Sequence, residues 1–476
     1  MRNDAAEPVA GAPGSDPGAG RVAGRMALLL DARRARRRGG ADLERRRRAR
    51  LAALVAHARA HSPYYRELYR ELPARVDEPA RLPITDKWRL MARFDDWVAD
   101  REAPRERVRA FVDDPAMVGR RFLGRYTVAT TSGTTGTRGL FLLDDRSLAV
   151  TNALALRMLG DWLAPRDLLA IARRGGRLAM VNATGGHFAS AVAAAGLRRG
   201  GGWRARRIGV FPAQAPLPEL VAGLNRFRPA VVAAYAGVAA LLAGEREAGR
   251  LRIDPALLVL SAEGLPAAEY GRIARAFGAK VRHSYAATEC PFLSYSCAHG
   301  WLHVNGDWVV LEPVDAEYRP TPPGEQSHTV LVSNLANRAQ PILRYDLGDS
   351  VVQRPDPCPC GNPLPAVRVE GRVADTLRFP GADGGQVGLA PLAFGTLLDR
   401  VPGVEGWQIV QAAPAHLRLR LRPAAGTDPD RAWRTAEAGL ARLLAEHGLG
   451  HVAVERAVEP PEQSPGGKYR RIIPLA

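Results

Sequence analysis

Hydrophobic and polar positions near the start of the chain repeat with a helical period. Leu51, Leu54, Val55 and Ala58 stand at positions i, i+3, i+4 and i+7, which predicts an amphipathic helix. The stretch SPYYR follows, and its Pro63 is placed as in the first turn of a further helix. The pattern therefore predicts helices before the main body of the chain.

From about Tyr126 to Val352, short apolar runs alternate with helical patterns. In ALLVLSAEGLPAAEYGRIARAFG a buried strand precedes a helix that begins at Pro266 and ends near Gly278. Alternation of this kind is typical of α/β domains with a mostly parallel sheet. The apolar runs are RYTVA, LAMVNA, PAVVAAYA, ALLVLSA and TVLVSN.

The last part of the chain has a different pattern. In HLRLRLRP leucine and arginine alternate from Leu417 to Arg422, which predicts a strand with one wet face. A helix follows with Asp428 as its cap and Pro429 in its first turn, and HVAVERA predicts another strand. We expect a small α+β domain here. The apolar face of its helix consists of Trp433, Leu440, Leu443 and Leu444.

We expect three regions: a disordered Arg-rich tail over 1–44, a large α/β domain over 45–370 and a small α+β domain over 371–476. The first 50 residues hold 13 Arg and 6 acidic residues, a surplus that could contact nucleic acid or an anionic membrane. The other reading is a solvated tail of an Arg-biased chain. Of 67 basic residues, all are Arg except Lys87, Lys280 and Lys468.

Composition narrows the class of protein. The chain has 476 residues, 46% of them hydrophobic, yet no apolar run approaches the ~20 residues that cross a bilayer. The start lacks the apolar core of a signal peptide, so we expect a cytoplasmic protein with no stable nucleic-acid or membrane partner. Four cysteines in so long a chain do not indicate a disulfide scaffold.

The stretch ATTSGTTGTRG, residues 129–139, combines glycine and hydroxyl residues after the run RYTVA. Gly133 and Gly136 permit a tight turn whose N–H groups and hydroxyls converge and attract an anion such as phosphate. A plain surface turn has the same composition. The loop alone therefore does not define a site.

Four further stretches stand in order after this loop: SYAATE at 284–289, RYDLGD at 344–349, GRVAD at 371–375 and SPGGKYRR at 464–471. Together they resemble the adenylate-forming enzymes, which include acyl-CoA ligases, luciferases and peptide-synthetase adenylation domains. Finer details are similar to the phenylacetate–CoA ligase branch. These are the stretches SPYYR, LPITDK and CPCGNPLP and the lack of a lysine after the first loop. The resemblance covers nearly the whole chain from about residue 45.

The resemblance implies an ATP-dependent ligase that forms an acyl-adenylate from a carboxylic acid, aromatic by our expectation, with release of pyrophosphate. A thiol, usually that of coenzyme A, then displaces AMP. ATP, Mg²⁺, the acid and coenzyme A are the implied cofactors and partners, and a homodimer stays open. A carrier protein, an amine or no acceptor are alternatives, as is a nucleic-acid- or membrane-binding protein on an inactive ligase body.

The same resemblance assigns the nucleotide site. Tyr285 lies against the adenine with Glu263 and Gly264 as the other wall, and Thr288 meets the α-phosphate. Glu289 holds Mg²⁺. The ribose is bound by Asp349 and braced by Arg372. The residues that hold the β- and γ-phosphates are Thr131, Ser132, Gly133, Thr134, Thr135 and Gly136.

Two stretches depart from the family pattern. Arg138 and Gly139 stand where the family has Pro-Lys, and in GRVAD the acidic hinge position is Ala374, with Asp375 one residue later. The resemblance implies that the small α+β domain is mobile and turns about this hinge. Either Asp375 serves as the hinge residue or the domain turns about a different position. Lys468 in the terminal GGK is implied to be catalytic, because a point charge there neutralises charge in the transition state.

The resemblance also suggests structural zinc. Cys297, Cys358 and Cys360 with one histidine would make a tetrahedral site, and the sequence does not choose between His299 and His303. Four unrelated reduced cysteines are the alternative. Cys290 follows Glu289 directly and is expected to be a small packed residue.

The acyl pocket is the least specific assignment. The stretch NATGGHFAS, residues 182–190, resembles the family's pocket segment, so His187 is a candidate, with a satisfied structural histidine as the alternative. Tyr235 and Gly237 in AAYAG are similar candidates. The many small residues in these stretches leave room for a ring without identifying one.

Overall fold

The computed structural model of the chain describes residues 17–131, 139–184, 186–199, 202–213, 215–262, 264–372, 377–381, 385–389, 391–398, 401–462 and 470–475. The helices are α1 Pro17–Arg38, α2 Gly40–His61, α3 Pro63–Leu68, α4 Lys87–Ala92, α5 Phe94–Trp97, α6 Arg105–Asp113, α7 Asp145–Trp162, α8 Pro165–Arg173, α9 Ala189–Arg198, α10 Gly202–Arg206, α11 Leu217–Phe227, α12 Ala236–Glu247, α13 Ala267–Phe277, α14 Pro391–Leu398 and α15 Pro429–Glu446, with 3₁₀ turns at Pro79–Arg81 and Pro115–Met117. Among these described helices, none has both the length and the apolar composition needed to span a membrane.

The strands form one large sheet and several small ones. The large sheet has nine strands in the order β13-β14-β9-β8-β7-β6-β5-β3-β4. The strands are β1 Thr127–Thr130, β2 Leu140–Leu143, β3 Leu178–Asn182, β4 Ile208–Pro212, β5 Val231–Tyr235, β6 Leu257–Ser261, β7 Lys280–Tyr285, β8 Ser294–Ser296, β9 Leu302–Val304, β10 Val309–Val314, β11 Thr329–Asn334, β12 Ile342–Asp346, β13 Asp349–Gln353, β14 Ala366–Arg372, β15 Leu377–Pro380, β16 Gln386–Leu389, β17 Val404–Ala413, β18 His416–Pro423, β19 Ala453–Arg456 and β20 Ile472–Ile473.

The α/β prediction is confirmed, and the parallel part of the sheet is confined to β4, β3, β5, β6 and β7. Three of the predicted apolar runs form β3, β5 and β6. The run RYTVA instead enters the antiparallel hairpin β1–β2, and TVLVSN forms β11 in the antiparallel sheet β10-β11-β12. An apolar run by itself does not tell which neighbour a strand will pair with.

The order of the parallel strands reverses between β3 and β5, a point at which α/β sheets commonly have a ligand-binding crevice. After β3 the chain moves to β4 on one side, whereas after β5 it moves to β6 on the other. Where the connections after two neighbouring strands run in opposite directions, the carboxyl ends of the strands leave a space in which α/β proteins bind ligands. Asn182 ends β3 and Tyr235 ends β5, so both lie at this point.

The N-terminal helices include the segment predicted as a tail. The described part of it, residues 17–44, is helical and so differs from the predicted disorder. The small residues Ala32 and Ala35 are fully buried, and Arg36 pairs with Asp161 of α7 at 3.0 Å. The composition suggested that the high density of arginines would keep this segment disordered. An acidic partner on another helix, such as Asp161 for Arg36, compensates the charge and lets the segment form helices.

The predicted amphipathic helix is confirmed as α2. Its predicted apolar positions are all buried: Leu51, Leu54, Val55 and Ala58. The next helix, α3, begins with Pro63, and the Ser62 side chain accepts a hydrogen bond from the Tyr65 backbone N–H at 3.4 Å. The turn chemistry read from SPYYR therefore gives the helix start that was predicted.

The last sheet has the order β19-β18-β17-β20, and α15 packs with it. Leu417 and Leu419 are fully buried, as the period of two predicts. Asp428 caps α15 by accepting from the Asp430 backbone N–H at 2.9 Å. The predicted apolar face of α15 packs in the hydrophobic core that the helix shares with this sheet, and its Leu440 and Leu444 are buried. The domain boundaries at 45, 370 and 371 stay predictions.

Candidate active site

The motifs SYAATE and RYDLGD meet at the end of β7. The Tyr285 hydroxyl donates a hydrogen bond to Asp349 Oδ2 at 2.6 Å, although 64 positions separate the two residues. Asp349 begins β13 and is buried at 4% exposure. The strand register pairs Asp349 with Arg372 of β14. The fold therefore gathers three residues that were predicted to surround one nucleoside.

Glu289 is buried rather than solvated. Its exposure is 7%, and the Tyr345 hydroxyl donates to its Oε1 at 3.1 Å. The Asn334 side-chain amide donates to the Glu289 backbone carbonyl at 3.1 Å. Burial raises the pKa of Tyr345, with the neighbouring Glu289 charge as the next cause, so this hydroxyl stays protonated and able to donate. A carboxylate held in this way is oriented before any ligand arrives.

The residues beside Glu289 differ in environment. Thr288 is half-buried, while Cys290 is buried at 3% exposure in an apolar cluster. Burial raises the pKa of Cys290 to about 12, which keeps the thiol neutral. The prediction that Cys290 is a small packed residue is confirmed.

The segment SAEG follows β6 at the same edge of the sheet. Ala262 has a φ of 71°, a conformation that a residue with a side chain rarely adopts. Strain of this kind persists where surrounding structure imposes it, and it clusters at ligand sites. Gly264 is exposed. The predicted adenine wall thus has an unusual backbone on an edge suited to ligands.

The glycine- and hydroxyl-rich loop joins β1 to β2. At its base the Thr131 hydroxyl accepts a hydrogen bond from the Gly139 backbone N–H at 2.8 Å. A Cβ at position 139 would lie 2.5 Å from Phe141 Cε2, so glycine is required there. A side chain at position 139, such as the lysine of the family pattern, would therefore require the Phe141 ring to move. The interior of the loop, residues 132–138, lies outside the described residues.

The loop base also contacts the predicted acyl segment. The Thr130 backbone N–H donates to the His187 carbonyl at 2.7 Å. The His187 ring is 1% exposed and packs against Phe111 with ring centroids 5.3 Å apart. Such packing agrees with a pocket wall and equally with a structural histidine, so its role stays a prediction.

The Tyr235 hydroxyl lies inside the protein near the same segment. It accepts from the Ala183 backbone N–H at 3.1 Å and lies 2.9 Å from the Ser190 hydroxyl. Tyr235 therefore braces the turn between β3 and α9. Gly237 is half-buried in the first turn of α12, directly after β5.

The four predicted metal ligands come together. Cys297, His303, Cys358 and Cys360 place their ligand atoms within 4.8 Å of one another. Sulfur atoms on a tetrahedral zinc ion with bonds of about 2.3 Å stand about 3.8 Å apart. The Cys297 and Cys358 sulfurs are separated by 3.7 Å, and Cys360 Sγ lies 3.2 Å from His303 Nε2.

The cluster also decides between the two histidines. His303 Nδ1 donates to the Leu364 carbonyl at 3.0 Å, which leaves the lone pair on Nε2 facing the cysteines. His299 is exposed and contributes only its backbone N–H, which donates to Cys297 Sγ at 3.4 Å. A structural zinc ion fits the three sulfurs and one imidazole, the distances between them and the backbone hydrogen bonds to Cys297 and His303.

Several predicted residues fall outside the described part of the chain, and their roles stay predictions. These are Ser132, Gly133, Thr134, Thr135, Gly136, Arg138, Glu263, Asp375 and Lys468, together with the side chain of Arg372. Conversely, the structure adds Tyr345 and Asn334 to the site. Both lie in quoted stretches, Tyr345 in RYDLGD and Asn334 in TVLVSN, but nothing in either stretch indicates a contact with Glu289.

The overall architecture is similar to that of solved acyl-CoA ligase structures. No family model matches the chain, and no curated protein matches it. A 2-hydroxyisobutyryl-CoA ligase in the postadenylation state, in complex with R3-HIB-AMP, matches with a TM-score of 0.66 and 23% identity over 93% of this chain and 91% of that chain.

This chain has the fold of an acyl-CoA ligase. The same ligase in an open conformation with 2-HIB-AMP and CoA matches with a TM-score of 0.57 and 22% identity, over 87% of this chain and 93% of that chain. In its thioesterification state the TM-score is 0.54, again at 22% identity, over 93% and 91% of the chains. The predicted acyl-CoA ligase fold is confirmed, and the phenylacetate–CoA ligase branch stays a prediction.

Proposed function

We propose that this protein is an AMP-forming acid–CoA ligase. It joins a carboxylic acid to ATP with release of pyrophosphate, and then transfers the acyl group to coenzyme A with release of AMP. The observation that carries the proposal is the Tyr285–Asp349 hydrogen bond, because it unites two predicted nucleotide motifs within an acyl-CoA ligase fold.

Tyr285 and Asp349 bind the nucleoside. The Tyr285 ring provides a flat apolar face for the adenine, and the Asp349 carboxylate has two oxygens that suit the two ribose hydroxyls. Because Tyr285 already holds Asp349 Oδ2 at 2.6 Å, ring and carboxylate are fixed relative to each other. Binding then loses less conformational entropy than it would with free side chains.

Glu289 is the residue that holds Mg²⁺. The ion, when bound, neutralises phosphate charge and prefers hard oxygen ligands such as a carboxylate. Tyr345 and Asn334 orient Glu289 through its carboxylate and its backbone carbonyl. Thr288 lies next to it and contacts the α-phosphate.

The loop 131–136 cradles the β- and γ-phosphates. The hydrogen bonds of its described base support this role: Gly139 N–H donates to the Thr131 hydroxyl, and Thr130 N–H donates to the carbonyl of His187 in the acyl segment. Lys468 supplies a positive charge to the carboxylate oxygen and the bridging oxygen as the adenylate forms. The small domain over 371–476 brings this lysine to the site and turns about the segment around Asp375.

The acid binds in the crevice between the ends of β3 and β5. Small residues in NATGGHFAS and AAYAG leave space for an aromatic acid, and His187 and Gly237 line it. The structural neighbour named above is a ligase for a small hydroxy acid. Both classes of acid therefore belong in a substrate screen.

Cys297, His303, Cys358 and Cys360 hold a structural zinc ion. When bound, the ion would tie the β8–β9 hairpin to the segment before β14, since Cys297 and His303 come from the hairpin and Cys358 and Cys360 from that segment. This use of zinc is separate from the chemistry, because protein ligands would take all four coordination positions of the ion and leave none for substrate.

The Arg-rich start does not favour a nucleic-acid- or membrane-binding function. Arg46 pairs with Asp31 and Asp42, and Arg50 pairs with Asp31. These contacts give many of the arginines a structural role within α1 and α2.

Acid-dependent pyrophosphate release tests the proposal. We expect the protein with ATP, Mg²⁺ and one of a panel of aryl, aliphatic and hydroxy acids to release pyrophosphate, and to form a thioester when coenzyme A is added. Arms with a carrier-protein thiol or an amine, read by product mass, identify another acceptor. Asp349→Asn should lower the rate, whereas Glu245→Gln, at a surface pair with Arg250, should not. No release with any acid would refute the proposal.

A further inference from the structure

The side chain of Asn182 is buried without a partner. Asn182 is 4% exposed, and neither its Oδ1 nor its Nδ2 has a hydrogen-bond partner among the residues that the structure describes. Burying an unpaired amide is unfavourable, and native proteins rarely leave one without a reason. A ligand that supplies the missing partner is such a reason.

Asn182 lies where a ligand would enter. It is the last residue of β3, at the crevice between the ends of β3 and β5. On the neighbouring strand β5, Tyr235 follows Ala234, the register partner of Val181. The Tyr235 hydroxyl already has hydrogen-bond partners, the Ala183 backbone N–H and the Ser190 hydroxyl. Of these two polar side chains at the crevice, Asn182 is thus the one with hydrogen-bonding capacity left over.

The strand leading to Asn182 provides an apolar wall. Side chains alternate along β3, so Asn182 shares a face with Met180 and Leu178, while Val181 packs in the core on the other face. Met180 pairs in register with Ala233 of β5, and both are half-buried rather than buried. A mostly apolar surface that ends in one polar group is the usual make-up of a small-molecule site.

We propose that the Asn182 carboxamide hydrogen-bonds a hydroxyl group on the acid, so that the substrate is a hydroxylated carboxylic acid. A hydroxyl both donates and accepts, and therefore satisfies Oδ1 and Nδ2 together. A carboxylate or phosphate only accepts, which would leave Oδ1 unpaired. This inference rests on the proposed function and names the substrate class of that site.

A site built to hydrogen-bond a hydroxyl discriminates strongly against the analogue that lacks it, because the buried polar group is then left unpaired. The experiment measures kcat/KM for acid-dependent pyrophosphate release with pairs of acids that share a carbon skeleton and differ by one hydroxyl. We expect the wild-type protein to prefer one hydroxylated acid over its partner by at least about 100-fold. In Asn182→Leu, which keeps the branched shape of the side chain and removes its hydrogen bonds, this ratio should fall to near one.

An equal loss toward both acids of each pair would overturn the inference, because Asn182 would then bind the shared carboxylate. So would a wild-type preference for non-hydroxylated acids. Either result leaves the proposed ligase activity standing, since pyrophosphate is still released.

The melting temperature of the free protein gives a second readout that needs no activity. Asn182→Leu should raise it by about 2 °C, because an unpaired amide is replaced by an apolar group of similar size. The matched control is Asn305→Leu. Asn305 is fully buried, accepts from Arg157 at 2.6 Å and donates to the Phe292 carbonyl at 3.0 Å, so this variant should melt lower. A lower melting temperature for Asn182→Leu also overturns the inference, even if no acid proves to be a substrate.

Discussion

The nine-stranded sheet carries two groups of polar side chains that differ in what they leave open. In the cluster of three cysteines and His303, the ligand atoms face one another. Backbone groups hydrogen-bond to Cys297 Sγ and to His303 Nδ1 from outside the cluster. The group of Tyr285, Glu289 and Asp349 lies instead at and just beyond the carboxyl end of β7, the edge at which α/β sheets commonly bind ligands. A closed cluster stabilises the protein, whereas an edge of this kind can bind and change a substrate.

Lys468→Ala should produce the largest effect on the edge group. We expect adenylate formation to fall by about 1000-fold, because one charge that stabilises the transition state is lost. Pyrophosphate release measures it. Lys280→Ala is the matched control, since the Lys280 ammonium donates to Asp167 at 2.5 Å and to the Trp162 carbonyl and has no assigned part in the chemistry. A near-normal rate in Lys468→Ala would contradict the role.

Glu289→Gln should lower the rate of pyrophosphate release by about 100-fold and raise the Mg²⁺ concentration needed for half-maximal rate, because an amide is a poorer ligand for a hard ion. Its melting temperature should change little, since glutamine can still accept the Tyr345 hydrogen bond. Should the Mg²⁺ requirement be unaltered, the carboxylate does not hold the ion.

Cys358→Ser should break the closed cluster and leave the edge group in place. We expect about one zinc per chain in the wild-type protein, loss of most of it in the variant, and a melting temperature lower by about 5 °C. Metal analysis and thermal unfolding measure both quantities. Cys290→Ser is the control that should keep zinc, because Cys290 packs in an apolar cluster. A wild-type protein without zinc, or a variant of equal stability, would remove the site.

Tyr345→Phe should have a smaller effect than Glu289→Gln. Removing one hydroxyl that orients the carboxylate costs about 1 kcal/mol, which corresponds to a rate lower by about 5-fold. Tyr69→Phe is the control, because that buried hydroxyl has no hydrogen-bond partner among the described residues. Equal rates for the two variants would show that Tyr345 does not position Glu289.

The smallest expected effect is on the pH dependence of stability, through the buried His283 of β7. Burial lowers the pKa of His283, two residues before Tyr285, to about 4, with the neighbouring Arg282 as a second cause. Between the unfolded value near 6.5 and this value, only the unfolded chain takes up the proton, so stability decreases as the pH falls. At pH 5.5 the loss is roughly 1 kcal/mol. Thermal unfolding from pH 7 to 5 should be less pH-dependent in His283→Phe; an identical slope would mean that water reaches the ring.

The sequence predicted well where neighbouring residues decide the structure. The alternation in HLRLRLRP predicted β18, and the Asp428-Pro429 pair predicted the start of α15. It failed for the first helices, where Asp31 and Asp161 neutralise arginines from other turns or helices. It also passed over Asn182, although this residue opens the quoted stretch NATGGHFAS, because nothing in the local pattern tells a satisfied asparagine from an unpaired one.

The sequence by itself determined the α/β class, because turn and strand propensities act between near neighbours. The candidate residues followed from the resemblance of its motifs to those of the adenylate-forming enzymes. Only the tertiary structure decided that His303 rather than His299 joins the cysteines, that Tyr235 is occupied and that Asn182 is not. These outcomes depend on contacts between segments far apart in the chain, such as the 64 positions between Tyr285 and Asp349. Hydrogen bonds and burial at that range are set when the sheet assembles, because the strand order then determines which side chains become neighbours.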